Sequence, residues 1–190
     1  MSENLKPRDG ADIEHVLAWA LAGEKTLEIV GRGSKRAIGR PAQWDSTLDL
    51  SGLSGITLYE PAELVLSAKA GTPLPEINAL IERSGQELAF EPMDYGRLLG
   101  TQPGSATIGG VLSANVSGPR RIKAGAARDH FLGVNAVSVH GGQSGNRVVV
   151  ARIAKGIHVP VVQRELSTGA AFVLLAGLLG DRLVEGRLQR

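Results

Sequence analysis

The sequence predicts an α+β fold, in which short strands and helices are mixed along one chain. Three observations support this prediction. Short apolar runs are divided by Gly and Pro turns, helical spacing of apolar residues occurs in only a few places, and two segments are rich in glycine. The 190 residues, 43% hydrophobic and 21% charged, are enough for one globular domain of ordinary size.

Two helices and six strands carry this prediction. Ile13, Val16 and Leu17 fall on one helical stripe, which predicts a helix over residues 11–23 that ends at Gly23. A second helix is predicted to begin with Thr72 as its N-cap and to end at Gly85. Strands are predicted at Thr26–Val30, Ser46–Leu50, Ile56–Tyr59, Leu64–Ala70, Leu88–Phe90 and Leu132–Ser138.

Charge and residue usage exclude several classes of function. The net charge is +2 and most basic residues are scattered, so no nucleic-acid partner is expected. The chain has no cysteine and its four histidines share no metal-ligand spacing, so we expect no metal site. The polar N-terminus does not look like a signal peptide, and the apolar run 170–179 is too short to cross a bilayer. These features predict a cytoplasmic protein without a transmembrane segment.

The first glycine-rich segment directly follows a predicted strand. It comprises Gly31, Arg32, Gly33, Ser34 and Lys35. Glycines at such a place allow positive φ, and successive backbone N–H groups can then surround a phosphate. The alternative interpretation is an ordinary turn at the end of a strand. A Rossmann fingerprint is excluded, because its third glycine would stand where this chain has Arg36.

The second segment runs from Gly104 to Gly118 and consists mostly of Gly, Ser, Thr and Ala. So many small residues let the backbone approach a flat ligand or another chain segment closely. The alternative is a tightly packed short helix followed by a turn. The candidate cofactor-binding residues here are Gly104, Thr107, Ile108, Gly109, Gly110, Asn115, Ser117 and Gly118.

These motifs resemble those of the flavoprotein family typified by vanillyl-alcohol oxidase and p-cresol methylhydroxylase. Within that family the likeness is to the FAD-binding subunits of bacterial glycolate oxidases, and it covers residues 11–138. Three stretches carry it: residues 29–35; residues 59–65 with 69–74; and residues 107–110 continuing through Ser117-Gly118-Pro119-Arg120-Arg121 to residues 125–129.

The resemblance implies an FAD-binding domain of two α+β subdomains with FAD between them. It further implies that the backbone of residues 31–35 holds the pyrophosphate and that residues 104–118 pack along the cofactor. Some family members attach FAD through a histidine in the first loop. This chain has Ser34 at that place and no cysteine, so we expect FAD to be bound non-covalently.

The resemblance also implies an activity and partners. Such an enzyme oxidises a 2-hydroxy acid to the 2-oxo acid, and an iron–sulfur partner subunit of a glycolate-oxidase-like complex carries the electrons onward. Membrane association would come only through such partners. No catalytic base is identified among the residues. The alternatives are a non-catalytic structural or assembly subunit and an inactive product of a truncated gene.

The basic cluster Arg120, Arg121, Lys123 and Arg128 has three interpretations. The first is a solvated face, which is the default for such a run. The second is contact with a partner subunit, and the third is electrostatic support of the FAD pyrophosphate. The resemblance is compatible with the last two and does not choose between them.

Residues 139–190 do not continue the family pattern. We therefore assign residues 1–138 to the FAD-binding domain, with an atypical or truncated C-terminal part, and expect no substrate domain in this chain. One explanation is a natural tail with strands at Arg147–Ile153 and Val159–Val162 and a helix at Ala170–Val184. The other is a change of reading frame near Ser138, which the Gly, Arg, Val and Ala content of the tail favours.

Overall fold

The computed structural model describes residues 3–137, 153–160 and 162–163, and it has the predicted α+β character. The strands in these ranges are β1 (Glu3–Leu5), β2 (Leu27–Val30), β3 (Ser46–Asp49), β4 (Ile56–Glu60), β5 (Val65–Lys69), β6 (Gln86–Glu87), β7 (Gly133–Val137), β8 (Ile153–Pro160) and β9 (Val162–Gln163). The helices are α1 (Gly10–Ala22), α2 (Leu74–Glu82), α3 (Gly96–Leu99), α4 (Ile108–Ser113) and α5 (Arg121–Ala124). None of the helices in these ranges has the length and apolar character needed to cross a membrane.

A parallel sheet of order β1-β3-β2 forms the first layer with α1. The side chain of Asp9 caps α1 by accepting a hydrogen bond from Asp12 N at 2.9 Å. Apolar residues recur along α1 at helical spacing, so one face can pack against the sheet. This face contributes Ile13 and Leu17 to a core that also contains Leu48, Leu50, Leu53 and Val137.

An antiparallel sheet of order β4-β5-β8-β7 forms the second layer. Helices α2 and α4 pack against it, and their fully buried Ile77 and Ile108 share a core with Leu66 of β5 and Val159 of β8. The short strands β6 and β9 pair separately. The two cores correspond to the two α+β units that were expected.

Residues beyond the family-like region complete the second sheet. Strand β8 lies between β5 and β7, with Val159 opposite Leu66 and Ile157 opposite Val134. Ile153, Val159, Pro160 and Val162, which the sequence predicts to lie in strands, do lie in the strands Ile153–Pro160 and Val162–Gln163, but residues 154–158, predicted to separate two strands, belong to β8. The other residues of these predicted strands, 147–152 and 161, lie outside the described residues. The predicted helix at residues 170–184 lies outside the described residues.

Two further details differ from the sequence predictions. Thr72 does not cap α2, because its fully buried hydroxyl donates to Lys69 O at 2.7 Å and accepts a hydrogen bond from Gly55 N at 3.0 Å. Pro73 is the N-cap residue, without a side-chain hydrogen bond. The strand predicted at Leu88–Phe90 is displaced to β6, and those three residues are buried after it. The side chains of Leu88 and Phe90 join the second core.

The position of β8 predicts that its buried valine stabilises the domain. We expect Val159→Ala to lower the free energy of unfolding by about 2 kcal/mol, because it removes fully buried methyl groups and leaves a cavity. Val134→Ala on the adjacent strand β7 is the matched control, since Val134 is 42% exposed. Urea unfolding of both variants measures the difference. Equal, small effects would contradict the placement of β8 in the core.

Candidate functional site

The two glycine-rich segments lie against each other. A Cβ atom added to Gly31 would lie 2.6 Å from Thr107 Oγ1, so the loop after β2 reaches the start of α4. A Cβ added to Gly110 would lie 3.8 Å from Lys35 Nζ, so the same loop also reaches the first turn of that helix. Residues that are distant in sequence therefore form one continuous surface.

The first loop has backbone donors that the fold does not use. Within the described ranges, no carbonyl or side chain accepts a hydrogen bond from the N–H groups of residues 32–35. Gly33 has φ +69°, the left-handed conformation that occurs in anion-binding nests. The side chain of Ser34 is buried, and Lys35 Nζ lies 3.4 Å from its Oγ. This loop can bind an anion through its backbone.

The second segment uses its backbone donors for the fold. Ile108 N donates to Thr72 O at 3.0 Å, and Gly109 N donates to Ala70 O at 2.9 Å. Thr107 caps α4, with its hydroxyl accepting from Gly110 N at 3.3 Å. Residues 108–113 of the segment thus form a short, tightly packed helix, and the N–H donors at its start are already occupied.

The close packing at Gly109 requires a residue without a side chain. A Cβ there would lie 2.7 Å from Ala70 O and 2.9 Å from Ala70 Cβ. Because Ala70 O belongs to the backbone and cannot easily move aside, a larger residue at position 109 would push α4 away from the end of strand β5. Glycine at this position sets how closely the helix lies to the sheet.

The rest of the second segment forms contacts at its two ends. Gly104 N donates to Asp94 Oδ2 at 2.7 Å, and Gly118 N donates to Phe90 O at 2.9 Å. Asn115 and Ser117 accept hydrogen bonds from the backbone N–H groups of residues 128 and 127. These four residues fasten the segment to its neighbours.

A cavity of about 710 Å³ lies at the junction of the two segments. This volume is in the range of small-molecule and cofactor sites. Eight of the predicted site residues line it: Gly31, Arg32, Gly33, Ser34, Lys35, Thr107, Gly109 and Gly110. The other five predicted residues, Gly104, Ile108, Asn115, Ser117 and Gly118, are not among its lining residues.

Lys35 is the positive charge that joins the two segments. Burial lowers the pKa of its ammonium group below 10.5, and the negative charge of Asp94 opposes that effect. No described carboxylate forms a salt bridge with it. Asp94 itself accepts hydrogen bonds from Gly104 N and Gly96 N, which lower the pKa of its carboxyl group. A partly desolvated cation beside free N–H groups suits an anionic ligand.

His130 and the basic cluster lie away from this cavity. His130 is buried, packs against Phe90 with ring centroids 5.6 Å apart, and lies with Nε2 2.5 Å from Ala124 O. Arg120 forms salt bridges to Glu87 at 3.0 Å and to Glu91 at 2.7 Å. None of the residues Arg120, Arg121, Lys123 and Arg128 lines the cavity.

Sequence reasoning missed another part of the cavity wall. The segment between the first loop and β3 contributes Ile38, Arg40, Pro41, Ala42 and Trp44 to the lining. This segment has no helical or strand periodicity, so the hydrophobic pattern gave no sign of it. A tryptophan shortly after a phosphate-type loop in the chain was the one available signal.

Comparison with known proteins defines the class of this domain. A family model described as an FAD binding domain matches residues 4–144, which is most of the chain. The chain therefore belongs to this family of FAD-binding domains. The resemblance to this flavoprotein family and the expectation of FAD as cofactor are both confirmed.

Two curated relatives illustrate the match. The chain is 40% identical over 119 residues to the glycolate oxidase subunit GlcE of Escherichia coli (strain K12), which covers 63% of this chain and 32% of that subunit. It is 25% identical over 140 residues to a probable mitochondrial D-2-hydroxyglutarate dehydrogenase of Oryza sativa subsp. indica, which covers 72% of this chain and 23% of that protein. The chain thus spans a third or less of the length of these relatives.

Solved structures confirm the fold. Two crystal forms of alkyldihydroxyacetonephosphate synthase superpose on this chain with TM-scores of 0.63 and 0.62, at 17% and 16% identity. Each match covers 84% of this chain, and 31% and 34% of the synthase chains. At this level of identity the likeness concerns the fold alone.

The close contact at Gly109 predicts that alanine at this helical position destabilises the domain, against the usual helix propensity. Alanine is ordinarily preferred over glycine in a helix by about 1 kcal/mol, yet we expect Gly109→Ala to destabilise the domain by about 1–3 kcal/mol. The reason is the overlap with Ala70 O. Gly52→Ala is the control, since its nearest neighbour would be Pro7 O at 3.9 Å. Chemical denaturation compares the two, and a stabilised Gly109→Ala variant would show that the close contact is not required.

Proposed function

We propose that this chain is the FAD-binding part of a glycolate-oxidase-like flavoprotein that oxidises a 2-hydroxy acid to the 2-oxo acid. The observation that carries the proposal is the loop of residues 31–35. Its unused N–H groups and Lys35 lie on the wall of a cavity whose other side is formed by Thr107, Gly109 and Gly110. These groups suit the pyrophosphate of a dinucleotide.

The residues of the site fit the cofactor in two ways. The pyrophosphate needs donors and positive charge, which the backbone of residues 32–35 and Lys35 offer. The glycines on both walls leave backbone atoms accessible to a ligand. FAD, when bound, supplies the electron acceptor for the oxidation. Ser34 and the absence of cysteine support a non-covalent complex.

The substrate class rests on two relatives. Glycolate and D-2-hydroxyglutarate, named for these proteins, are both carboxylates with a hydroxyl group on the adjacent carbon. A shared 2-hydroxy acid chemistry is therefore the simplest proposal for the reaction in which this domain takes part. An iron–sulfur partner subunit and a cytoplasmic location are parts of the same proposal.

The absorption spectrum of the purified protein with added FAD tests the cofactor. We expect a flavin spectrum that remains after gel filtration, and flavin that is released into the supernatant when the protein is precipitated with acid. Release is expected because no side chain in the loop forms a covalent link. Colour retained in the pellet would contradict the non-covalent complex. A folded protein that takes up no flavin would refute the proposed function.

Anaerobic addition of glycolate or D-2-hydroxyglutarate to the FAD complex tests the reaction. Bleaching of the flavin, with acetate as the inert control, would support oxidation of a 2-hydroxy acid by this chain. A stable FAD complex that neither acid bleaches would favour the structural or assembly subunit instead.

The position of Lys35 in the cavity wall predicts that FAD affinity depends on the charge of this residue and therefore on pH. We expect Lys35→Met to weaken FAD binding about tenfold, in line with the loss of one charged hydrogen bond. Lys25→Met, at an exposed lysine away from the cavity, is the control. Because burial lowers the pKa of Lys35, the wild-type protein keeps this contribution at neutral pH and loses it as the pH rises toward 10.5. Isothermal titration across this range compares the proteins.

The Lys35→Met variant also serves as the reference for pH. Titration of the flavin itself affects both proteins equally, so only the difference between their affinities reports Lys35. A difference that stays constant up to pH 10.5 would contradict a role for the lysine charge.

A further inference from the structure

Trp44 is an exposed aromatic residue on the wall of the same cavity that residues 31–35 line. Its side chain is 45% exposed, and Ile38 and Ile29, which line the same cavity, are 51% and 43% exposed. One cavity therefore joins a polar, anion-binding part to an apolar wall with an indole ring.

The backbone around Trp44 is held in place. The carboxylate of Asp45, the next residue, accepts hydrogen bonds from Thr26 N and Thr26 Oγ1, both at 2.7 Å. Asp45 N in turn donates to Thr26 Oγ1 at 3.1 Å, and Ser46 N donates to Thr26 O at 3.2 Å. These hydrogen bonds anchor the C-terminal side of Trp44 to the start of β2. The indole is thus exposed on a fixed backbone.

We propose that Trp44 stacks against an aromatic ring of the dinucleotide bound at the first loop. The proposal rests on the proposed function and extends it to a residue that binds a ring instead of the phosphates. A dinucleotide carries flat rings on both sides of its pyrophosphate, so a ligand held at residues 32–35 presents a ring to the wall of the same cavity. Stacking would cover the indole and gain dispersion energy without a hydrogen bond.

Trp19 provides a matched internal reference. It is the other tryptophan of the chain, is 43% exposed, and lies on α1 outside the lining of the cavity. The two indoles therefore have nearly equal exposure and differ in their relation to the site.

Titration of FAD into the wild type and three variants tests the energetic part. We expect Trp44→Ala to weaken binding about tenfold, as is typical for loss of one stacking partner, and Trp44→Phe to restore most of the affinity. Trp19→Ala should bind like the wild type. An unchanged affinity in Trp44→Ala overturns the inference while the proposed function stands. Failure of the wild type to bind FAD refutes the proposed function itself.

Hydroxyl-radical footprinting of the wild type tests the contact without any substitution. Mass spectrometry reads the oxidation of both tryptophans in one sample, so radical scavenging by the ligand affects both equally. We expect saturating FAD to reduce oxidation of Trp44 severalfold relative to Trp19. Protection by FMN or by ADP then identifies the flavin or the adenine as the stacked ring. Equal oxidation of Trp44 with and without bound FAD overturns the inference.

Discussion

The backbone contact between residues 70–74 and residues 106–109 sets how the second glycine-rich segment lies against the sheet and where the two layers meet. Ala70 and Thr72 accept the N–H groups that open α4, and Leu74 N donates to Ala106 O at 2.9 Å in return. Gly71 N also donates to Leu53 O at 2.9 Å, next to the first core. A side chain at Gly71 would overlap with the carbonyl of Leu50. The segments around residues 53, 70–74 and 106–109 therefore contact one another through their backbones. The two layers meet there because Gly71 and Gly109 have no side chain that would keep the backbones apart.

The two glycine-rich segments have different roles at this junction. The first N–H groups of α4 in the second segment donate hydrogen bonds at the junction, so the glycines of that segment allow close packing and leave an accessible surface. The first loop makes no such contacts among the described residues, and its donors remain for a ligand. Thr107 connects the two roles, because it caps α4 and lies beside Gly31. Similar composition thus serves two different physical purposes in the two segments.

Much of the fold could be predicted from the sequence because its patterns are local. Apolar periodicity and turn residues located α1 and the four strands of residues 27–69 to within one residue at each end, and α2 to within three. The role of Thr72 could not be predicted, since its hydroxyl partners include Gly55, which only the fold brings near. The extent of β8 through residues 154–158 could not be predicted, because it depends on pairing with β5 and β7. Trp44 was missed for the same reason, as an irregular segment acquires its surroundings only in the folded chain.

The central place of β8 also has a consequence for how the chain folds. The partners Leu66 and Val159 are distant in sequence. Bringing them together closes a long loop, and the lost chain entropy is compensated only when the rest of the sheet forms. During synthesis, β5 and β7 leave the ribosome before the strand that separates them. The parallel sheet, whose strands all lie before residue 50, has no such requirement. The parallel sheet can therefore form earlier than the antiparallel sheet. Until β8 is synthesised, the edges of β5 and β7 that will pair with it have free backbone N–H and C=O groups, which can associate with other chains.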